Sequence, residues 1–208
     1  MKIFCVGLNY KEHIAEMKHF AFPESPVIFM KPPTALLKNG QSFYYPDFSK
    51  DVHYEGEIVL RVCKNGKKID QKFARNYYDA FTLGFDFTAR DIQAEQKKKG
   101  WPWEIAKGFD GSAFIGDFVP INKNMSADRQ DEVISFTIKK NNEIVQQGDT
   151  SMLIFPFDEI VAYISRFFTL QQGDLIYTGT PQGVGPVQIG DVLEGFAGDV
   201  PLVRCEVK

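Results

Sequence analysis

Cysteine is scarce in this chain. Cys5, Cys63 and Cys205 are its only three in 208 residues, and they lie far apart with no CxxC pair. A zinc ribbon or a thioredoxin-type motif is therefore not expected, and a reducing, intracellular compartment fits best. Histidine is as scarce, at His13, His19 and His53. A two-metal phosphoesterase would want more His and Asp ligands than that. Positive charge is not in excess either: the formal net charge is -3. The chain thus lacks the electrostatic footprint of a nucleic-acid binder, and Lys97-Lys98-Lys99 reads as a solvated helix face. Long apolar runs are missing too. The run at Met1–Gly7 is too short for a signal-peptide core, and no stretch would span a bilayer. The expectation is a cytoplasmic protein with neither membrane nor nucleic-acid partners.

The length suits one core, so residues 1–208 are read as a single domain. Phe is plentiful, at 19 residues, and aromatic packing should dominate that core. Residues 2–6 read as a strand ended by Gly7, and 10–18 as a short helix stopped before Pro23 and Pro26. Strands and turns are expected over 27–45 and a strand over 52–62. A helix is expected over 70–79, a buried strand over 81–87, and a helix over 89–99 capped by Thr88 with Asp91 behind it. A hairpin should turn at Asn141-Asn142 within 133–147, and 157–168 has the apolar spacing of an amphipathic helix. The last forty residues read as strands joined by Gly-rich turns. Strands outnumber helices without alternating with them, which predicts an α+β rather than a doubly wound fold.

Candidate chemistry begins with carboxylates. In a strand over 52–62, His53, Glu55 and Glu57 share one face. Two carboxylates so close repel each other, and a bound cation is the remedy. Asp86 ends the apolar strand just before a helix, a usual place for functional groups. Three carboxylates with water are hard oxygen ligands that suit Mg²⁺ or Mn²⁺. Each signal has a plainer reading: Glu-x-Glu also occurs on solvated strand faces, and Asp86 would also serve as a helix cap. His13 and Glu16, three apart on a helix, form a candidate acid–base dyad or an ordinary surface pair. That segment, about 9–20, has the length and flanks of a lid. Lys107 follows an apolar stretch with two Trp residues, where it would meet an anionic substrate or simply snorkel. The turn Gly179–Gly185 would bind a carboxylate through its backbone N–H groups and the Thr180 hydroxyl, or would only turn the chain.

Six ordered blocks carry a resemblance. They are GLNYxxHxxE (7–16), MKPPTA (30–35), HYEGEI (53–58), GFDFTARDIQ (84–93), KGWPWEIAKGFD (99–110) and GDLIYTGTPxGVG (173–185). Together they resemble the fumarylacetoacetate hydrolase superfamily, nearest to its short acylpyruvase and oxaloacetate decarboxylase branch. The resemblance implies mixed β-sheets rolled around the active site with a few outer helices, and a homodimer. It places metal ligands at Glu55, Glu57 and Asp86, a catalytic dyad at His13 and Glu16, and a catalytic lysine at Lys107. Substrate-binding positions fall on Arg90, Gln93 and Thr180. It implies C–C hydrolysis of acylpyruvates or related 2,4-dioxo acids through an enolate. Oxaloacetate decarboxylation, or isomerisation of a 2-hydroxyhepta-2,4-diene-1,7-dioate type of substrate, stand as alternatives. A metabolite-binding module without chemistry is the rival of another class. One departure is Gly108, where many relatives carry Ser, and it bears on substrate preference.

Overall fold

The computed structural model describes residues 1–12, 22–121 and 133–208. Most of the expected 10–18 helix, with His13 and Glu16, lies outside these residues. The run 52–62 is two strands rather than one, β5 (Val52–Tyr54) and β6 (Gly56–Val62), parted at Glu55. The two halves serve different sheets. β5 lies between β8 (Thr88–Ala89) and β14 (Gly185–Pro186) in a small three-stranded sheet. β6 is central in a large mixed sheet.

That large sheet runs β2 (Val27–Lys31), β1 (Ile3–Gly7), β13 (Leu175–Tyr177), β6, β7 (Tyr78–Asp86), β9 (Ala113–Ile115), β3 (Leu36–Lys38), with β10 (Val119–Pro120) also on β7. β1 with β13 and β3 with β9 are parallel, and the other pairs are antiparallel. A five-stranded sheet packs on it in the order β12 (Glu143–Asp149), β11 (Ser135–Lys140), β15 (Val192–Ala197), β16 (Val200–Val207), β4 (Ser42–Phe43). Between the sheets Leu83, Phe85, Phe114, Ile138, Leu193 and Val203 are buried in one core. Aromatic rings dominate it as expected: Phe43 stacks on Phe87 with centroids 3.9 Å apart, and Phe85 reaches Phe87 and Phe114 at 5.9 and 6.2 Å.

The hairpin turns where expected. Asn141 and Asn142 both have positive φ, 52° and 70°, as a tight two-residue turn between twisted strands requires. Two helical expectations resolve differently. α1 (Arg90–Lys99) forms, but Thr88 does not cap it. Thr88 is instead paired with His53 in the small sheet, and its hydroxyl donates to the Asp86 carbonyl at 3.2 Å. Asp91 docks the helix start by accepting from Ser49 Oγ (2.7 Å), the Lys50 N–H (2.9 Å) and the Ile92 N–H (2.9 Å). The segment read as a helix over 70–79 is a 3₁₀ helix, Gln71–Tyr77, because pairing with β6 draws the chain into β7 from Tyr78. A one-turn helix, α2 (Glu104–Lys107), carries Lys107. α3 (Phe157–Phe167) buries Ile160, Val161 and Ile164, with Phe168 just beyond its end against Phe4. Among the described residues no helix is long and apolar enough to cross a membrane.

Candidate active site

The antiparallel register decides where the acids meet. Gly56 faces Phe85 and Glu57 faces Gly84 across β6 and β7. One step further the Asp86 N–H donates to the Glu55 carbonyl at 2.9 Å. Glu55, at the strand break, therefore sits beside Asp86, with Glu57 two residues on. One oxygen from each carboxylate lies within 4.8 Å of the others, and all three side chains are buried. His53 is set apart from them. The break at Glu55 puts it in the small sheet, where its Nε2 lies 2.9 Å from Asp51 Oδ1.

Such a cluster is electrostatically costly by itself. Burial first, then the charges of Asp86 and Glu55, push the Glu57 carboxyl well above its ordinary range, against the Gly179 N–H and the Lys107 ammonium. The donor set is all oxygen, as Mg²⁺ and Mn²⁺ prefer. Asp86 Oδ1 is buried against the Lys31 ammonium, 2.6 Å away, and three carboxylate oxygens within 4.8 Å of one another are a donor set that fits a hard cation.

Cations close the cluster from outside. Lys107 Nζ lies 2.7 Å from Glu55 Oε2 and 2.9 Å from Asp86 Oδ2. Burial works against its charge, but Asp86 and Glu55 outweigh burial and raise its pKa, so it is an ammonium at neutral pH. Phe29 lies beneath it at 5.3 Å. Arg90 Nη2 donates to Glu55 Oε1 at 2.7 Å and its Nη1 to Gln93 Oε1 at 2.8 Å, so the two residues share a helix face as expected. A Cβ at Gly108 would sit 2.9 Å from the Glu104 carbonyl oxygen and 3.1 Å from Pro32 Cδ. The turn after Lys107 thus packs closer than a larger residue allows.

The Gly-rich turn braces the site. The Gly179 N–H, expected as a carboxylate binder, holds a protein carboxylate, donating to Glu57 Oε2 at 2.7 Å. Gly179 has φ +104°, and a Cβ there would meet Asn9 Cβ at 2.8 Å, so only glycine fits. Asn9 locks the same turn: its Nδ2 donates to the Thr178 carbonyl at 2.8 Å and its Oδ1 accepts from the Phe155 N–H at 2.8 Å. Thr180 lines the pocket; its hydroxyl donates to the Gly56 carbonyl at 2.9 Å and accepts from Gln146 Nε2 at 2.8 Å.

Glu55, Glu57, Asp86, Lys107, Arg90, Gln93 and Thr180 are thus brought to one pocket. His13 and Glu16 lie outside the described residues. Two lysines escaped the sequence reading. Lys31, 2% exposed, pairs with Asp86 and donates to the carbonyls of Ser112 (2.9 Å), Phe87 (3.3 Å) and Lys107. Its signal was a lysine ending an apolar strand, immediately before Pro32. Lys97 lines the pocket, so the reading of 97–99 as a solvated face is corrected at that position. Burial, then Arg90, pulls its ammonium down to about 8.

The fumarylacetoacetate (FAA) hydrolase C-terminal family matches residues 2–208. The chain belongs to the fumarylacetoacetate hydrolase family. The mouse oxaloacetate tautomerase FAHD1, mitochondrial, is 39% identical over 206 residues, 99% of this chain and 91% of that protein. The Escherichia coli K12 oxaloacetate tautomerase YcgM is 40% identical over 192 residues, 92% and 86% of the two chains. Fumarylpyruvate hydrolase from Pseudomonas aeruginosa, solved in complex with Mn²⁺ and pyruvate, superposes with a TM-score of 0.89. It is 34% identical, covering 100% of this chain and 89% of that one. The fold expected from the resemblance is the fold observed, and the protein is an enzyme of this family.

Proposed function

We propose that the protein is a divalent-metal-dependent enzyme of small 2-oxo acids whose main reaction is keto–enol tautomerisation of oxaloacetate. The observation that carries this reading is the buried triad of Glu55, Glu57 and Asp86 with Lys107 against two of its members. The likeness to two oxaloacetate tautomerases supports the substrate. A divalent ion held by the triad would act as a Lewis acid toward the 2-oxo oxygen. Mg²⁺ and Mn²⁺ both suit the ligands, and the Mn²⁺ in the Pseudomonas hydrolase supports the class.

The chain's own groups divide the remaining work. Arg90 and Gln93 orient the substrate carboxylate from one helix face. Lys107, an ammonium at neutral pH, donates a hydrogen bond to the oxygen on which enolate charge develops. The resemblance to the superfamily assigns the proton transfer to His13 and Glu16: His13 would take a proton from C3 that is delivered to the 2-oxo oxygen as the enol forms, and the reverse transfer would restore the ketone.

C–C hydrolysis of an acylpyruvate is the second reading, favoured by the likeness to fumarylpyruvate hydrolase. There His13 would instead activate the attacking water. Ultraviolet absorbance of oxaloacetate and of acetylpyruvate, each with Mg²⁺, Mn²⁺ or chelator, separates the two. Metal-dependent equilibration of oxaloacetate that exceeds acetylpyruvate loss is the expected outcome. Faster loss of acetylpyruvate would make the protein a hydrolase, and turnover unchanged by chelator would remove the metal reading.

A further inference from the structure

Gly56 lies between two of the candidate metal ligands, Glu55 and Glu57, and its peptide groups point out of the β6–β7 ladder. The Asp86 N–H donates to the Glu55 carbonyl, so Glu55 and Asp86 form a hydrogen-bonded pair. The next pair, Gly56 with Phe85, is then one whose N–H and C=O groups face away from the partner strand. β13 does not meet those of Gly56, because it pairs with β6 only over 59–61. Two side chains stand in its place. The Gly56 N–H donates to Gln146 Oε1 at 2.9 Å, and the Gly56 carbonyl accepts from the Thr180 hydroxyl at 2.9 Å. The Gln146 amide nitrogen donates to Thr180 Oγ1 at 2.8 Å and to the Pro181 carbonyl at 3.0 Å. Gln146, on β12, is 2% exposed. A Cβ on Gly56 would come within 2.5 Å of Ile138 Cγ1 and 2.9 Å of Gln146 Oε1, so this ring of bonds closes only around glycine.

These bonds fix direction as well as position. A backbone N–H only donates and a backbone carbonyl only accepts, so Gly56 and Pro181 settle which end of the Gln146 amide is oxygen and which is nitrogen. Both amide hydrogens are committed, one of them to Thr180 Oγ1. Thr180 therefore accepts from Gln146 and gives its single hydroxyl hydrogen to Gly56. One lone pair is what the hydroxyl has left to offer. Turning the hydrogen elsewhere would strip the buried Gly56 carbonyl of this partner, which is costly away from water. Thr180 stands in the wall of the triad's pocket, and whatever its hydroxyl meets there it meets as an acceptor. A carboxylate, which has no hydrogen to give, is a poor match.

We propose that Thr180, with Gln146 as its positioning residue, accepts a hydrogen bond from the enol hydroxyl of the substrate and makes the pocket favour enol over ketone. This rests on the oxaloacetate tautomerisation proposed above and deepens it. At neutral pH the keto form has two carboxylates and a ketone, none with a hydrogen on oxygen, whereas the enol has one. The Thr180 hydroxyl is bonded to the residue between Glu55 and Glu57, which sets it beside the triad, where a 2-oxygen would be held.

Lactate and pyruvate, which carry a hydroxyl and a ketone at C2, stand in for the two tautomers. Calorimetric titration of the Mg²⁺-loaded protein gives the ratio of their affinities. Thr180→Val, similar in shape but without the hydroxyl, should lower the lactate-to-pyruvate ratio about fivefold by weakening lactate alone. Thr180→Ser should keep the ratio within about twofold of the parent's. Gln146→Leu, which frees the hydroxyl to turn, should lower it about as far as Thr180→Val does. An unchanged ratio in Thr180→Val, with both acids still bound, would overturn the proposal and leave the 2-oxo acid reading standing. Equal weakening of both acids in Thr180→Val would make Thr180 structural and overturn the proposal as well. A parent-like ratio in Gln146→Leu, or loss of both acids there, would overturn the positioning role of Gln146. Binding of neither acid by the parent protein would overturn the proposal and the 2-oxo acid reading together.

Discussion

Single residues at the centre of this protein are held against strong opposing forces. Glu57 is buried beside two other carboxylates, which with burial raise its pKa well above the ordinary range against the opposing pull of the Gly179 N–H and the Lys107 ammonium. Glu57→Ala removes one of the three candidate ligands and is expected to abolish tight Mn²⁺ binding, followed by the electron paramagnetic resonance of free Mn²⁺, and turnover with it. Retained Mn²⁺ affinity would place the ion elsewhere. Lys31 presents the opposite case, a buried cation with one carboxylate and three carbonyls around it. Removing one member of a buried pair leaves the other uncompensated, at about 3–5 kcal/mol. Lys31→Met should therefore lower unfolding stability in urea by about that amount. A loss below about 1 kcal/mol would mean that water replaces the ammonium and that Asp86 is less enclosed than its burial indicates.

Elements are positioned by polar contacts as much as by apolar faces. α1 carries Arg90, Gln93 and Lys97, and its first turn is anchored through Asp91 to Ser49 and Lys50. Burial opposes the Asp91 charge, but hydrogen bonds from the Lys50 N–H, the Ser49 hydroxyl and the Ile92 N–H outweigh it and lower its pKa. A carboxyl depressed on folding adds stability that is present above its unfolded value, about 3.9, and is lost as pH falls through the folded value. Asp91→Asn should thus destabilise the protein at pH 7, and the gap in melting temperature from the parent should close below about pH 4. A gap that persists at acid pH would show that the amide fails for reasons of shape, not charge.

The described residues form two mixed sheets around an aromatic core and a small third sheet, with the pocket at the strand break, and α1, α2 and the 178–180 turn form its walls. On the resemblance to its superfamily we propose that it works as a homodimer. Multi-angle light scattering should then return twice the 23.6 kDa chain mass at micromolar concentration. A mass of one chain would rule this out.

From the sequence alone, much of this protein was determined. Alternation and turn chemistry placed the hairpin at Asn141-Asn142, helical spacing placed α3, and the acidic spacing with its motif blocks named Glu55, Glu57 and Asp86. These features are local, set within a few residues by backbone and side-chain sterics. Tertiary structure decided the rest. The chain breaks at Glu55 because its two halves join different sheets, which separates His53 and brings Glu55 to Asp86 through cross-strand register. Thr88 is drawn from its capping role by the same small sheet. Lys31 and Lys97 gained their places only when strands and helices distant in sequence enclosed them. A lysine's environment is set by what packs around it, and no spacing along the chain encodes that.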